Sequence, residues 1–448
     1  LSEDAPVTHL SLLPLLQEAA PAIVPADTAW MLVATALVLL MTPALGFFYG
    51  GLVRSKNSLN TMMMSYVALG AVGILWALVA YSLAFADGSA WLGGLQNALL
   101  GGVTADAKGS IPHILFMAYQ GTFAIITAAL ISGAIVERMR FGPYLAFIVL
   151  WTLLVYAPVA HWVWGGGFLG KMGVLDFAGG TVVHINAGIS ALVAAAVIGA
   201  RKDYGRQAIL PHNVPFVLLG AGLLWFGWFG FNGGSALAAN ASAATAFVNT
   251  FLAPMATLVV WVLLDYVRTG HATAVGGATG IVVGLVAITP AAGFVSPAGS
   301  LALGAIAAFP SYFAIVLRSR TRIDDSLDVF AGHGVGGITG ALLTGVFAQK
   351  VWGGTDGLLA GNPGQLGLQA IGVAVSLVYA GAMTFVILKA LGAVVALRAP
   401  TGTEALGMDV SQHGEEAYTS GEGSILVLPE AEPALASAPV LKPQTVSR

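Results

Sequence analysis

Charged residues make up only 9% of this 448-residue chain. A soluble domain carries about 25%, and a water-facing surface cannot be assembled from so few. A soluble enzyme and a disordered protein are both excluded. Cysteine is absent, which removes disulfides, thiolate metal sites and cysteine nucleophiles. The net charge of −3 carries no sign of nucleic-acid binding. What the chain has instead is 57% hydrophobic residues, a mean hydropathy of +0.85 and 58 glycines. These mark a polytopic membrane protein whose helices pack closely in lipid.

A bilayer-spanning helix needs roughly 20 mostly apolar residues. Eleven stretches qualify, at about 29–52, 58–85, 113–136, 143–164, 178–199, 214–233, 244–266, 274–292, 298–317, 329–348 and 367–397. Barrel strands would alternate apolar and polar residues in short segments, so a transmembrane β-barrel is excluded. The expected fold is an all-α integral membrane protein of eleven transmembrane helices. Arg54, Lys56, Arg138, Arg140, Arg201, Lys202, Arg206, Arg268, Arg318, Arg320, Arg322 and Arg398 fall on one side of it. Lys108, Lys171 and Lys350 fall on the other. Twelve against three puts the first side in the cytoplasm. The N-terminus is then outside and the C-terminus inside, as an odd number of spans requires.

Residues 1–28 form no clear span and read as an extracellular or periplasmic segment. Ala20-Pro21-Ala22 has the look of a signal cleavage site, but no Lys or Arg precedes it and Glu3, Asp4 and Glu18 do. Cleavage and retention both stay open. Residues 29–398 read as the membrane domain and 399–448 as a cytoplasmic tail, disordered beyond about residue 422.

Charge inside a bilayer costs several kcal/mol or more, so each such residue needs a reason. Asp176 opens D-F-A-G-G-T-V-V-H, ending at His184 in the fifth span; Asp328 opens D-V-F-A-G-H, ending at His333 in the tenth. Spans five apart carrying the same pattern are what an inverted five-helix repeat plus an eleventh helix would give. The histidines read either as a shared pore pair or as satisfied packing residues. Asp176 and Asp328 stand where a carboxylate can cap a helix start, a structural and electrostatic role, or could meet substrate directly. His161 reads as an interfacial hydrogen-bonding residue. Aromatics followed by glycines close three spans, around Tyr119 and Phe123, Trp162 and Trp164, and Trp228 and Phe231. They form either membrane-interface belts or a cup that attracts a small cation through ring quadrupoles.

With these motifs the chain closely resembles the ammonium transporter family (Amt/Mep, related to the Rh proteins), from about Ala29 to Gly421. The carrying segments are F-F-Y-G-G-L-V-R from Phe47, G-A-I-V-E-R-M-R-F from Gly133 and H-W-V-W-G-G-G from His161. D-F-A-G-G-T-V-V-H-I-N-A-G from Asp176, W-F-G-F-N-G-G-S from Trp228, I-T-P-A-A-G-F from Ile288 and D-D-S-L-D-V-F-A-G-H-G from Asp324 join them. The resemblance implies a recruitment cup of Tyr119, Phe123, Trp164 and Ser235, where the family often has Phe at the Tyr119 position. It implies a gate of Phe123 and Phe231, and a pore with His184, His333, Trp228 and Thr289. It makes Asp176 an acidic residue needed for function.

The implied activity is ammonium transport in the cytoplasmic (inner) membrane. Ammonium is recruited at the cup and deprotonated, ammonia passes the twin-histidine pore, and a proton is relayed separately in electrogenic uptake. The resemblance also implies a homotrimer. The tail segment Leu406 to Tyr418 resembles one that, in bacterial members, lies at the face blocked by a PII-type signal protein. No enzyme activity, cofactor or metal is expected. The alternatives are an ammonium sensor and a channel for another small neutral molecule.

Overall fold

The computed structural model describes residues 22–418. The candidate cleavage site, with residues 1–21, and the expected disordered end of the tail lie outside or at the edge of the described residues. The long apolar helices are α1 (Pro25–Leu52), α2 (Ser55–Phe85), α3 (His113–Ala134), α4 (Phe141–Met172), α5 (Gly180–Ile198) and α6 (Val214–Gly234). They continue as α7 (Ala241–Thr269), α8 (Ala274–Ile288), α9 (Pro297–Arg318), α10 (Phe330–Phe347) and α11 (Pro363–Val394). Among the described residues, ten are long and apolar enough to cross a membrane, and α8 is a shorter apolar helix of 15 residues. The span expected at 274–292 stops early: Thr289 still has helical angles (φ −52°, ψ −48°), but Pro290 has no N–H to carry the ladder on. α1 begins earlier than expected, since Pro25 and Ala26 occupy the first turn, where a missing N–H costs nothing.

Close approach of backbones holds the bundle, because lipid gives apolar side chains no reason to prefer one another. α6 turns Gly220, Gly227 and Gly230 toward α1, where an added Cβ would overlap Phe48, Met41 and Leu37. α5 and α10 cross at the centre. Each opens with one widened π-turn, Gly180–Ile185 and Phe330–Val335. Such turns shift side-chain register by one residue and recur at functional sites. His184 lies in the first and His333 in the second. Four residues after His184, Gly188 lies against the backbone of Gly334; four after His333, Gly337 lies against Gly180 and His184.

The two aspartates differ in what their carboxylates meet. Asp176 Oδ1 accepts from the N–H groups of Gly179 (2.8 Å) and Gly180 (2.6 Å), and Oδ2 from Thr181 (2.8 Å) and Val182 (3.0 Å). At the start of α10 that work falls to Asp325, which accepts from Val329 at 3.0 Å and Phe330 at 2.7 Å. Asp328 caps nothing. It sits at φ +58° and pairs with Arg318 at 2.5 Å. Asp325 is eight residues before His333, the same interval as Asp176 to His184.

Beneath α5 and α10, the arginine-rich face carries a buried ionic cluster. Arg201 pairs with Asp324 at 2.8 Å and Glu137 at 3.0 Å, and Arg54 reaches Glu137 at 2.9 Å. Burial alone would raise the Glu137 and Asp324 carboxyls, but the adjoining guanidiniums outweigh it and hold both below their ordinary values. Their stabilisation is therefore fully present above about pH 4.5 and is lost as pH falls through the lowered values. Arg201→Met leaves the buried Asp324 carboxylate without its ion-pair partner. The expected loss is about 3 kcal/mol or more, read as earlier thermal unfolding of detergent-purified protein. Unaltered unfolding would show that Arg138 or water replaces Arg201.

The tail folds back on the same face as two short helices, Thr401–Leu406 and Met408–His413. Asp409 accepts from the N–H groups of Leu59 (3.0 Å) and Asn60 (2.7 Å), and Met408 N–H donates to Asn57 Oδ1 at 2.8 Å. The tail thus caps α2 of its own chain.

Candidate substrate passage

Two vestibules reach toward each other from opposite ends of the bundle. The upper one, at the end opposite the arginines, has a volume of about 310 Å³. It is lined by Phe123, Trp164 and Ser235, together with Phe85, Phe116 and Gln120. The lower one, about 340 Å³, is lined by residues including Phe48, Arg201, Arg318, Asp328 and His333. Between them runs a cavity of about 10 Å³ lined by His184, His333, Trp228, Phe231 and aliphatic side chains. That is room for about one water.

The floor of the upper vestibule is a ring pair. Phe123 and Phe231 stack with centroids 4.1 Å apart and planes 26° apart. Both are nearly inaccessible, so they close the passage. Trp164 stands edge-on to Phe123 at 6.0 Å, and its indole N–H donates to the Asp176 carbonyl at 2.9 Å. Asp176 therefore holds the vestibule wall with its backbone and the start of α5 with its side chain.

Tyr119 departs from expectation. It is completely buried and lies outside the vestibule lining. Its hydroxyl donates toward the carbonyls of Gly230 (3.0 Å) and Phe231 (2.9 Å) and lies 3.3 Å from Ser235 Oγ. The carbonyls it meets lie in the last turns of α6, where the Phe231 carbonyl also accepts from Ser235 Oγ at 2.8 Å. Tyr119 packs against Phe123 at 4.9 Å and so supports the ring pair from behind.

Below the rings, His184 and His333 meet Nδ1 to Nδ1 at 3.2 Å, with their planes 17° apart. Two neutral imidazoles in that contact have opposite tautomers. The ring donating through Nδ1 keeps a bare Nε2, and the ring accepting there carries Nε2–H. The pair thus offers the passage one acceptor and one donor. His184 Nε2 is buried without a protein partner. Trp228 lies over His184 at 5.4 Å and 17°. Thr289, expected to line the pore, stands behind it: fully buried, it accepts the Trp228 indole N–H at 2.8 Å. His161 sets Nδ1 3.0 Å from the Ala84 carbonyl at the end of α2 and Nε2 2.8 Å from the Ser89 carbonyl in the loop that follows, and lies apart from the passage.

Sequence reasoning missed Gln120, Phe116 and Phe85 in the vestibule wall. Gln120 lies next to Tyr119 and its Oε1 is buried without a partner. The only signal for it was the polar residue itself within an apolar span.

A multispan bundle pierced by a constricted apolar passage with aromatic and imidazole walls is a membrane transport protein. The chain belongs to the Ammonium Transporter Family, whose model matches residues 29–418. It is 52% identical to an ammonium transporter of Aquifex aeolicus over 88% of this chain and 93% of that one. The fold is similar to the crystal structure of Mep2 from Saccharomyces cerevisiae (TM-score 0.80, 37% identity, 85% of this chain and 91% of that one). It is also similar to a sensor Amt protein (TM-score 0.81, 30% identity, 87% and 98%).

Proposed function

We propose that this chain takes up ammonium by binding the cation in the upper vestibule and passing ammonia between His184 and His333. The upper vestibule is then the outer cup and the arginine-rich face the cytoplasmic one, in the cytoplasmic membrane. The observation that carries the reading is the order of groups along one line: open aromatic cup, stacked Phe123 and Phe231, then paired imidazoles in a cavity of about 10 Å³.

Ammonium and potassium are similar in size, and an aromatic cup attracts both. Neither crosses the apolar constriction as a bare cation without a large desolvation cost. Ammonium can shed its proton, with a pKa near that of an ordinary amine, about 10. Neutral ammonia then meets one donor and one acceptor on the histidines. Potassium cannot neutralise itself and is refused. The proton travels separately along the imidazole pair and water, which makes uptake electrogenic. The reading extends to a homotrimer and to a PII-type partner at the cytoplasmic face, both supported by the family resemblance of the tail. A second reading, ammonium sensing, is favoured by the docking of Asp409 on α2, which couples the tail to the bundle.

Liposomes containing the protein test this. Ammonium should evoke a saturable current and potassium none. Trp164→Leu should raise the half-saturating ammonium concentration about two- to thirtyfold if the indole face contributes its usual cation–π attraction. Potassium current equal to ammonium current would overturn the proposal. An unaltered concentration dependence in Trp164→Leu would remove the indole from recruitment.

A further inference from the structure

Lys108 stands beside the outer cup, on the short strand Ala107–Lys108 paired antiparallel with Ile111–Pro112. The hairpin is tied down at both ends. Val24 N–H donates to Ser110 O at 2.8 Å, and His113 N–H donates to Asp106 O at 2.8 Å. The lysine side chain is half-buried and lies on rings instead of reaching for water. Its Nζ is 4.6 Å from the Phe116 centroid and 5.9 Å from that of Tyr81, and 3.5 Å from the Tyr81 hydroxyl. That hydroxyl in turn meets His113 Nε2 at 2.6 Å. Among the described ion pairs none involves Lys108. Phe116 is itself a wall of the cup, edge-on to Phe85, another wall, at 5.2 Å and 88°.

We propose that Lys108 is a tethered ammonium group that sets the cup's affinity for free ammonium, by occupying the Phe116 ring and repelling a second cation beside it. The proposal rests on the outer cup's being the recruitment site. A ring attracts cations through a quadrupole that both faces share. Two cations on opposite faces of one ring stand on the order of 8 Å apart. At effective dielectric constants of about 20 to 80, that repulsion weakens binding roughly two- to thirtyfold. The cup is open to water, so the lower part of that range applies, about three- to tenfold. Lys108 thereby raises the concentration at which transport saturates, an affinity-setting role for a residue outside the passage.

The test is the ammonium concentration dependence of current in liposomes holding the full chain, at fixed pH and ionic strength. Lys108→Met should lower the half-saturating concentration about three- to tenfold, more than it alters the maximal current. Lys108→Glu should lower it further, and Lys108→Arg should stay near the wild type. In a Phe116→Leu background the Lys108→Met effect should shrink. Lys108→Gln serves the same comparison should the Met variant fold poorly. A fall in maximal current with half-saturation unaltered in the Met, Gln and Glu variants would make Lys108 a structural residue and overturn the proposal. If Trp164→Leu still raises half-saturation in that case, the recruitment cup stands and only the role of Lys108 falls. If Trp164→Leu is also without effect, the cup reading falls and takes this inference with it.

Discussion

Asp176→Ala should abolish ammonium current in liposomes while the protein still assembles. Its carboxylate accepts four backbone N–H groups, from Gly179 to Val182, where α5 opens. Bonds to an ionised acceptor are worth about 1.5–3 kcal/mol each, and the methyl of alanine replaces none of them. The π-turn that aims His184 then loses its fixed start. The Asp176 carbonyl also holds the Trp164 indole, so disorder here reaches the cup as well. Asp176→Asn is the informative partner. It keeps one oxygen acceptor but sets an NH₂ group against the other two donors, so a small residual current is expected. All four close contacts of the native carboxylate go to the protein backbone, which supports an anchoring role over proton abstraction. If Asn is as inactive as Ala in a fully assembled protein, the negative charge itself is required. Substantial current in Asp176→Ala would remove the anchor from the mechanism.

The double change His184→Ala with His333→Ala should convert a selective passage into a less selective one. The imidazoles fill the narrowest part of the bundle, in a cavity of about 10 Å³. Truncating both leaves an opening that several waters can occupy, lined by Trp228 and Phe231. A hydrated cation then needs to shed less of its shell, and deprotonation ceases to be a condition of passage. Potassium current should appear from essentially none, while ammonium current persists. The same liposome recording checks both ions. A double variant that carries ammonium at the normal rate and still refuses potassium would show that selection is complete at the cup or at the phenylalanine pair.

Much of this molecule was legible in the chain. Apolar runs of bilayer length marked the helices, all but the end of α4 to within a few residues, because a membrane helix must satisfy its own backbone and exclude charge along its length. Glycine-flanked histidines in two spans five apart pointed to two rings that line the cavity between the vestibules, because a polar ring in such a span is rare. Motifs around Asp176 and Trp228 supplied the family. Tertiary structure decided which groups face the passage. The place of Asp328 at a helix start reads as a cap, but the turn at residues 325–328 gives that work to Asp325 and leaves Asp328 to Arg318. Tyr119 on α3 and Thr289 just past α8 point away, one to carbonyls of α6 and the other to the Trp228 indole. Gln120, Phe116 and Phe85 line the cup with no motif to announce them. The physical reason is common to all of these. A helix between lipid and an apolar passage is apolar on nearly every side, so hydropathy reports its length and carries little about its rotation. Rotation is set by close contacts such as Gly188 against Gly334, and these exist only once the helices have met.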